Sequence, residues 1–265
     1  MILLGYIAAI LIGLSLGLIG GGGSILTVPV LVYLFHIAPL PATSYSLFIV
    51  GLTSLVGAYS NLKEHQVSIS TALWFGAASV ITVLITRRFL IPAIPDTLFF
   101  AGSFAITKSF AIMVLFAILM LFASISMIRP DKAAVPQARN NYEKKHHIQL
   151  IIYGLLIGLV TGVLGAGGGF LLIPALVLLV KLPMKKAIGT SLFIIAINSL
   201  IGFLGDAGHY PIHWPLLLSI SILAIVAVLA GNVLKRKIDG SRLKKGFGWF
   251  VLIMGIYIIT RELFM

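Results

Sequence analysis

The chain has 265 residues, 60% of them hydrophobic and 10% charged, with a mean hydropathy of +1.13. Soluble domains run at roughly 45–50% apolar and about 25% charged, so an ordinary water-facing fold is excluded, and so is disorder, which needs low hydrophobicity. The excess of 19 Lys and Arg over 7 Asp and Glu, a net charge of +12, belongs to the loops of an all-α polytopic membrane protein rather than to a nucleic-acid surface; with no cysteine there is no disulfide, thiol nucleophile or Cys-based metal site.

A helix needs about 20 apolar residues to cross the hydrocarbon core. In chain order the candidates are 2–19, a short piece at 24–35 containing Pro29, then 43–60, 70–85 and 109–128. The first lacks the basic start and small-residue cleavage site of a signal peptide and reads as a retained helix. After a polar stretch at 129–147 the pattern restarts with 148–164, a short piece at 170–180 containing Pro174, then 187–204, 214–234 and 247–263. The organisation is therefore an N-terminal membrane repeat (1–128), a connecting loop (129–147) and a C-terminal membrane repeat (148–265).

The restart is a sequence repeat. A shift of 145 lays 17–57 on 162–202 without a gap, matching the glycine clusters, Pro29 with Pro174, and Ser46-Leu47-Phe48-Ile49 with Ser191-Leu192-Phe193-Ile194. If the short pieces are re-entrant, the halves have four crossings each and are parallel, and the best division of basic residues is 12 to 7; if they cross, the halves have five each and are inverted. Inversion places Lys63, the five basic residues of 129–145, Lys181, Lys185, Lys186 and the six of 235–245 on the cytoplasmic side, against Arg87, Arg88, Lys108 and Arg261 outside, a division of 15 to 4. Because Lys and Arg favour the cytoplasm, inverted repeats with both termini outside are the expected arrangement.

Each first helix runs into glycines, Gly20-Gly21-Gly22-Gly23 and Gly165-Ala166-Gly167-Gly168-Gly169. Glycine costs a helix interior about 1 kcal/mol relative to alanine, and a helix break within the membrane is tolerable only where protein or a wet cavity satisfies the backbone. Matched breaks in two halves point to a transporter's binding site. Each run precedes a short helix, so the amides of Gly22, Gly23, Ser24 and of Gly167, Gly168, Gly169 are expected to face an anion. Single glycines such as Gly13 and Gly57 read as helix packing. The following helix adds Ser46 in the first half and Thr190, Ser191 and Asn198 in the second, groups that can hydrogen-bond an anion without a buried charge.

Charged groups near the membrane are few. Asp206 and His209 are candidates for proton handling, since histidine titrates near neutrality, although Asp206 to His213 reads as a solvated loop without a metal. Arg87 and Arg88 are placed at a membrane boundary, and His36 and Lys181 at equivalent ends of the short helices, where they snorkel. No Walker motif is present, and neither a carboxylate pair nor a His cluster suggests an enzyme.

The motifs at 17–29 and 162–174, with Gly189-Thr190-Ser191-Leu192 opening the following helix, resemble the sulfite exporter TauE/SafE family of membrane permeases. The first half departs from that last element, reading Ser44-Tyr45-Ser46-Leu47. The resemblance implies export of small sulfur-containing anions such as sulfite or organosulfonates across a prokaryotic cell (cytoplasmic) membrane. The expected function is thus a secondary transporter without cofactor, alternating access around the glycine breaks, with a proton as coupling ion and a homo-oligomer compatible with it. An anion channel with the same site is the nearest rival, ahead of a membrane enzyme or a scaffold. Labelling of a cysteine placed in the 129–147 loop should succeed only from the cytoplasmic face; access from the other face would overturn the inverted arrangement.

Overall fold

Residues 2–101, 104–128, 147–165, 167–206, 208–234 and 240–264 are described by a computed structural model. The connecting loop expected at 129–147, apart from His147, and residues 235–239 of the basic run lie outside them. Helix α1 (Ile2–Ile19) ends at Gly20, a 3-10 helix spans Gly21–Leu26, and α2 (Thr27–Tyr33) follows. Then come α3 (Pro39–Lys63) and α4 (Ile69–Ile85), which passes through a π-helical turn, Thr86–Leu90, into α5 (Ile91–Ala93). Strands β1 (Thr97–Ala101) and β2 (Phe104–Thr107) precede α6 (Lys108–Ile128). The second half holds α7 (His147–Leu164), α8 (Gly169–Leu178), α9 (Met184–Gly205), α10 (Trp214–Leu234) and α11 (Gly240–Phe264).

Composition explains most of these boundaries. Pro39 opens α3 and Pro183 precedes α9, where a fixed φ suits the first turn and a missing N–H costs nothing. Six stretches among the described residues are long and apolar enough to cross a membrane: α3, Ile69–Ala93, Lys108–Ile125, α7, α9 and α10. Their outer faces carry exposed Leu73, Phe122, Ile222 and Val233, side chains suited to lipid. The chain is a multi-pass membrane protein.

One element departs from the all-α expectation. β1 and β2 form an antiparallel hairpin pairing Thr97 with Thr107 and Ala101 with Phe104. The segment is rich in Thr and Phe, residues that favour strands, and it lengthens the first half relative to the second.

The 145-residue shift holds in the folded chain, carrying the starts of α1, α3 and α4 onto those of α7, α9 and α10. Glycines seam the pairs, as small residues do where helices approach closely in membranes. α3 and α9 pack antiparallel at the centre, Gly51 against Leu200, Gly57 against Leu192 and Gly202 against Leu47. α1 runs parallel to α10, with Gly13 against Ala224 and Ala227 and Gly17 against Val228 and Gly231. α7 runs parallel to α4 in the same manner, Gly154 lying against Phe75 and Ala78 and Gly158 against Ser79. α6 and α11 pair antiparallel through Gly248 and Gly255. The packing role expected for Gly13 and Gly57 is what these contacts show.

Two faces result. At the first, α1 and α3 begin and α9 ends: Gly5 meets Phe35, the Tyr45 hydroxyl accepts the His213 N–H at 2.6 Å, and Lys108 Nζ donates to the Ile94 carbonyl at 3.0 Å. At the second, α9 begins and α3 ends, with the Ser68 N–H donating to Thr190 Oγ1 at 2.9 Å. The 3-10 helix and α2 run back along α1 from the second face to the first, Gly23 lying against Leu16 and Phe35 against Gly5. His36 and Lys181, both with left-handed φ, end α2 and α8 alike and let Ile37 and Leu182 N–H groups reach Leu31 and Leu176 carbonyls.

A β-carbon at Gly158 would stand 2.7 Å from the Ser79 carbonyl oxygen, whereas one at Gly246 meets nothing within 4 Å. Gly158→Leu should therefore lower stability by about 1–3 kcal/mol, and Gly246→Ala should leave it unchanged or raise it by up to about 1 kcal/mol. Thermal unfolding in detergent checks the pair; equal midpoints would refute the packing account.

Candidate functional site

The two glycine breaks meet each other. Gly21 lies against Gly169 so closely that a β-carbon on Gly21 would be 2.6 Å from the Gly169 α-carbon, and Ile195 of α9 packs on the same spot. Gly167 and Gly168 both take left-handed φ, 66° and 67°, a conformation that side chains with a β-carbon resist. A β-carbon on Gly167 would stand 2.8 Å from the Ser199 hydroxyl, and one on Gly168 would run into Thr161 Oγ1. The second break is thus lined by hydroxyls from α7 and α9.

Several of these polar atoms are buried without a partner. Thr27 Oγ1, Ser46 Oγ, Ser54 Oγ, Thr161 Oγ1, Asn198 Oδ1 and Ser199 Oγ make no hydrogen bond among the described residues. Leaving a buried polar group unsatisfied costs about 1–3 kcal/mol. Ser46, Val50 and Ser54 follow at helical spacing on α3, and the repeat shift places Ser191, Ile195 and Ser199 correspondingly on α9. Val50, Ile195 and Ser199 all touch Gly167, so these stripes converge on the glycine break.

The expected site residues divide accordingly. Gly167, Gly168 and Gly169 form this convergence and Ser46 lies on its α3 stripe, whereas the contact of Asn198, one residue before Ser199, is with α4, its Nδ2 donating to Ser79 Oγ at 2.6 Å. Gly22, Gly23 and Ser24 belong to the 3-10 helix. Gly23 packs on α1, and the buried Ser24 hydroxyl donates to the Gly21 carbonyl at 2.8 Å. Ser191 likewise bonds its own helix, donating to Ile188 at 2.9 Å, while Thr190 is engaged by Ser68 at the second face. Free hydroxyls on Ser24 and Ser191 are therefore not what the fold provides, because a neighbouring carbonyl is the nearest acceptor.

The sequence reading missed Arg87. It is 1% exposed, because the π-helical turn carries the apolar helix onward through Phe89-Leu90-Ile91 and turns Arg87 inward. Its Nη1 donates to Thr43 Oγ1 at 2.9 Å and to Asp206 Oδ2 at 3.1 Å. Asp206, read as a solvated loop residue, is 4% exposed and ion-paired; it ends α9 on the first face, where the pairing stabilises an otherwise costly charge. Exposed His209 follows it, its N–H donating to the Asp206 carbonyl at 3.0 Å. Burial, and then the Asp206 charge, raise the nearby Tyr210 phenol above its usual range. The available signal for Arg87 was that hydrophobic residues continue past the arginine pair; an ionisable side chain inside such a stretch needs a partner.

Comparison with known proteins finds relatives named as membrane transporters. The family model "Sulfite exporter TauE/SafE" matches residues 5–258. The chain is 29% identical to a "Probable membrane transporter protein" of Xylella fastidiosa (strain Temecula1), over 95% of this chain and 92% of that one. It is 25% identical to the "Probable membrane transporter protein YunE" of Bacillus subtilis, over 98% and 99% of the two chains. No solved structure matches the chain significantly. With a family model spanning nearly its whole length on a fold of apolar helices broken at paired glycine clusters, the chain belongs to the sulfite exporter TauE/SafE family of membrane transporters.

Proposed function

We propose that the protein is a secondary transporter that exports small sulfur-containing anions, such as sulfite or organosulfonates, across a prokaryotic cytoplasmic membrane. The observation that carries this reading is the convergence of partnerless buried hydroxyls on a glycine break. Such groups are costly in a dry interior and suit a path that a polar solute occupies in turn with water. The family's description supplies the substrate class.

Alternating access requires two halves that can exchange roles. Antiparallel packing of α3 on α9, and the matching parallel pairs α1 with α10 and α7 with α4, support inverted repeats of five crossings each, related by a two-fold in the membrane plane. The 3-10 helix and α2 run the full distance between the faces in that reading. Gly167 to Gly169, Ser46, Asn198 and Ser199 then line the anion's path at the middle. Coupling to a proton runs through Asp206 and His209, the titratable pair at the first face.

Proteoliposomes loaded with sulfite or methanesulfonate should show uptake of labelled substrate stimulated by unlabelled substrate on the opposite side, and an imposed pH gradient should alter its rate. A channel would lack the counterflow, and no transport of any of these anions would remove the substrate class. Ser199→Ala separates function from folding: deleting an unsatisfied hydroxyl should leave the protein at least as stable while transport falls several-fold. Unchanged transport by this variant would take the convergence out of the path.

A further inference from the structure

Arg87 is bound on one side only. Its side chain is 0% exposed, and Nη1 serves both Thr43 and Asp206, while Nε and Nη2 have no hydrogen-bond partner among the described residues. These two nitrogens share one edge of the guanidinium. Their N–H groups point in parallel, the fork that fits two oxygens of a carboxylate, sulfonate or phosphate. Asp206 is close enough to pair with Arg87 yet leaves that edge without a hydrogen bond.

The second glycine break passes over it. Gly165, at φ 67°, lies so near that a β-carbon there would collide with Nη2 and with Thr43. The backbone beside the fork belongs to the same glycine cluster in sequence as Gly167, which meets Ser199. The repeat shift pairs Arg87 with Asn232, Asp206 with Asn61 and Thr43 with Ile188. Gly20 packs on Ile188 as Gly165 does on Thr43, so the second face repeats the geometry with no charge in these positions.

Resting on the transport reading above, we infer that Arg87 is a binding residue for the transported oxyanion, holding two of its oxygens through Nε and Nη2, and that Asp206 restricts the site to singly charged anions. While Asp206 is ionised, it and Arg87 together are neutral, so a monoanion leaves one net negative charge buried and a dianion two. Burying uncompensated charge is strongly unfavourable, so bisulfite and alkanesulfonates are admitted in preference to sulfate. Apart from Arg87, the groups facing the Asp206 carboxylate are the Ser44 hydroxyl and His209, with Tyr210 beside the pair. None of these supplies a second fixed positive charge.

The test is isothermal titration of the full-length protein in detergent with methanesulfonate and with sulfate, alongside counterflow of the same proteins in liposomes. Wild type should bind methanesulfonate more tightly than sulfate. Arg87→Lys keeps the charge but not the fork and should weaken methanesulfonate about tenfold or more. Asp206→Asn should tighten both anions and narrow the difference between them. The double variant Arg87→Gln with Asp206→Asn leaves no orphaned charge to disturb folding, and should lose methanesulfonate binding while eluting as wild type does. Undiminished methanesulfonate affinity in that folded double variant would overturn the role of Arg87, and equal wild-type affinity for the two anions would overturn charge selection. Either result with intact wild-type counterflow leaves the transport reading standing; absence of wild-type counterflow and binding removes both.

Discussion

Inside a bilayer no water stands ready to bond a broken helix, so every interruption of the backbone must be enclosed by protein or by a solute path. The rest of this structure is arranged around that requirement. Two glycine runs interrupt the chain after α1 and after α7, and they are brought against each other, Gly21 on Gly169, with α3 and α9 covering them. Neither break would be tolerable alone. The close approach needs residues without β-carbons, and left-handed φ at Gly167 and Gly168 needs the same, so steric and conformational demands fall on the same positions.

The surrounding helices make that enclosure rigid without a hydrophobic driving force between them, since lipid is as apolar as any helix face. Glycine seams let α1 and α10, and α4 and α7, come to backbone contact, where dispersion and weak polar contacts accumulate. Hydroxyls are distributed by the same logic. Ser24 and Ser191 donate to carbonyls of their own helices. Ser46, Ser54 and Ser199 do not, and they lie on the stripes of α3 and α9 that converge on the glycine bend.

Among the described residues the buried charges, Arg87, Asp206 and Lys108, all lie toward the first face. The ion pair of Arg87 and Asp206 ties the π-helical turn after α4 to the end of α9, and Thr43 ties it to the start of α3. Breaking a buried pair of this kind costs about 3–5 kcal/mol, so it joins three helices of the two halves while half of the guanidinium stays unengaged. The equivalent positions near the second face carry amides and an isoleucine. Two halves of similar backbone therefore differ in electrostatics, which gives the two sides of the molecule different relations to an anion.

Much of this was legible in the chain itself. Apolar length, the 145-residue repeat, the glycine clusters and the distribution of Lys and Arg are local or periodic signals, and they determined a duplicated membrane protein with matched helix breaks. They also determined the packing role of isolated glycines, because small residues at helical spacing have one common use in membranes. Partnership between distant side chains is not periodic. Whether Ser191 faced an anion or its own helix, and whether the Arg87 side chain was solvated or enclosed, depended on which residues from other helices arrived beside them. Arg87 reads as a boundary residue from its neighbour Arg88; only the π-helical turn and the arrival of Asp206, 119 residues later in sequence, made burial of its charge affordable. The pairing of β1 with β2 was hidden for a related reason, since short stretches rich in Thr and Phe carry strand propensity that pairing alone turns into structure.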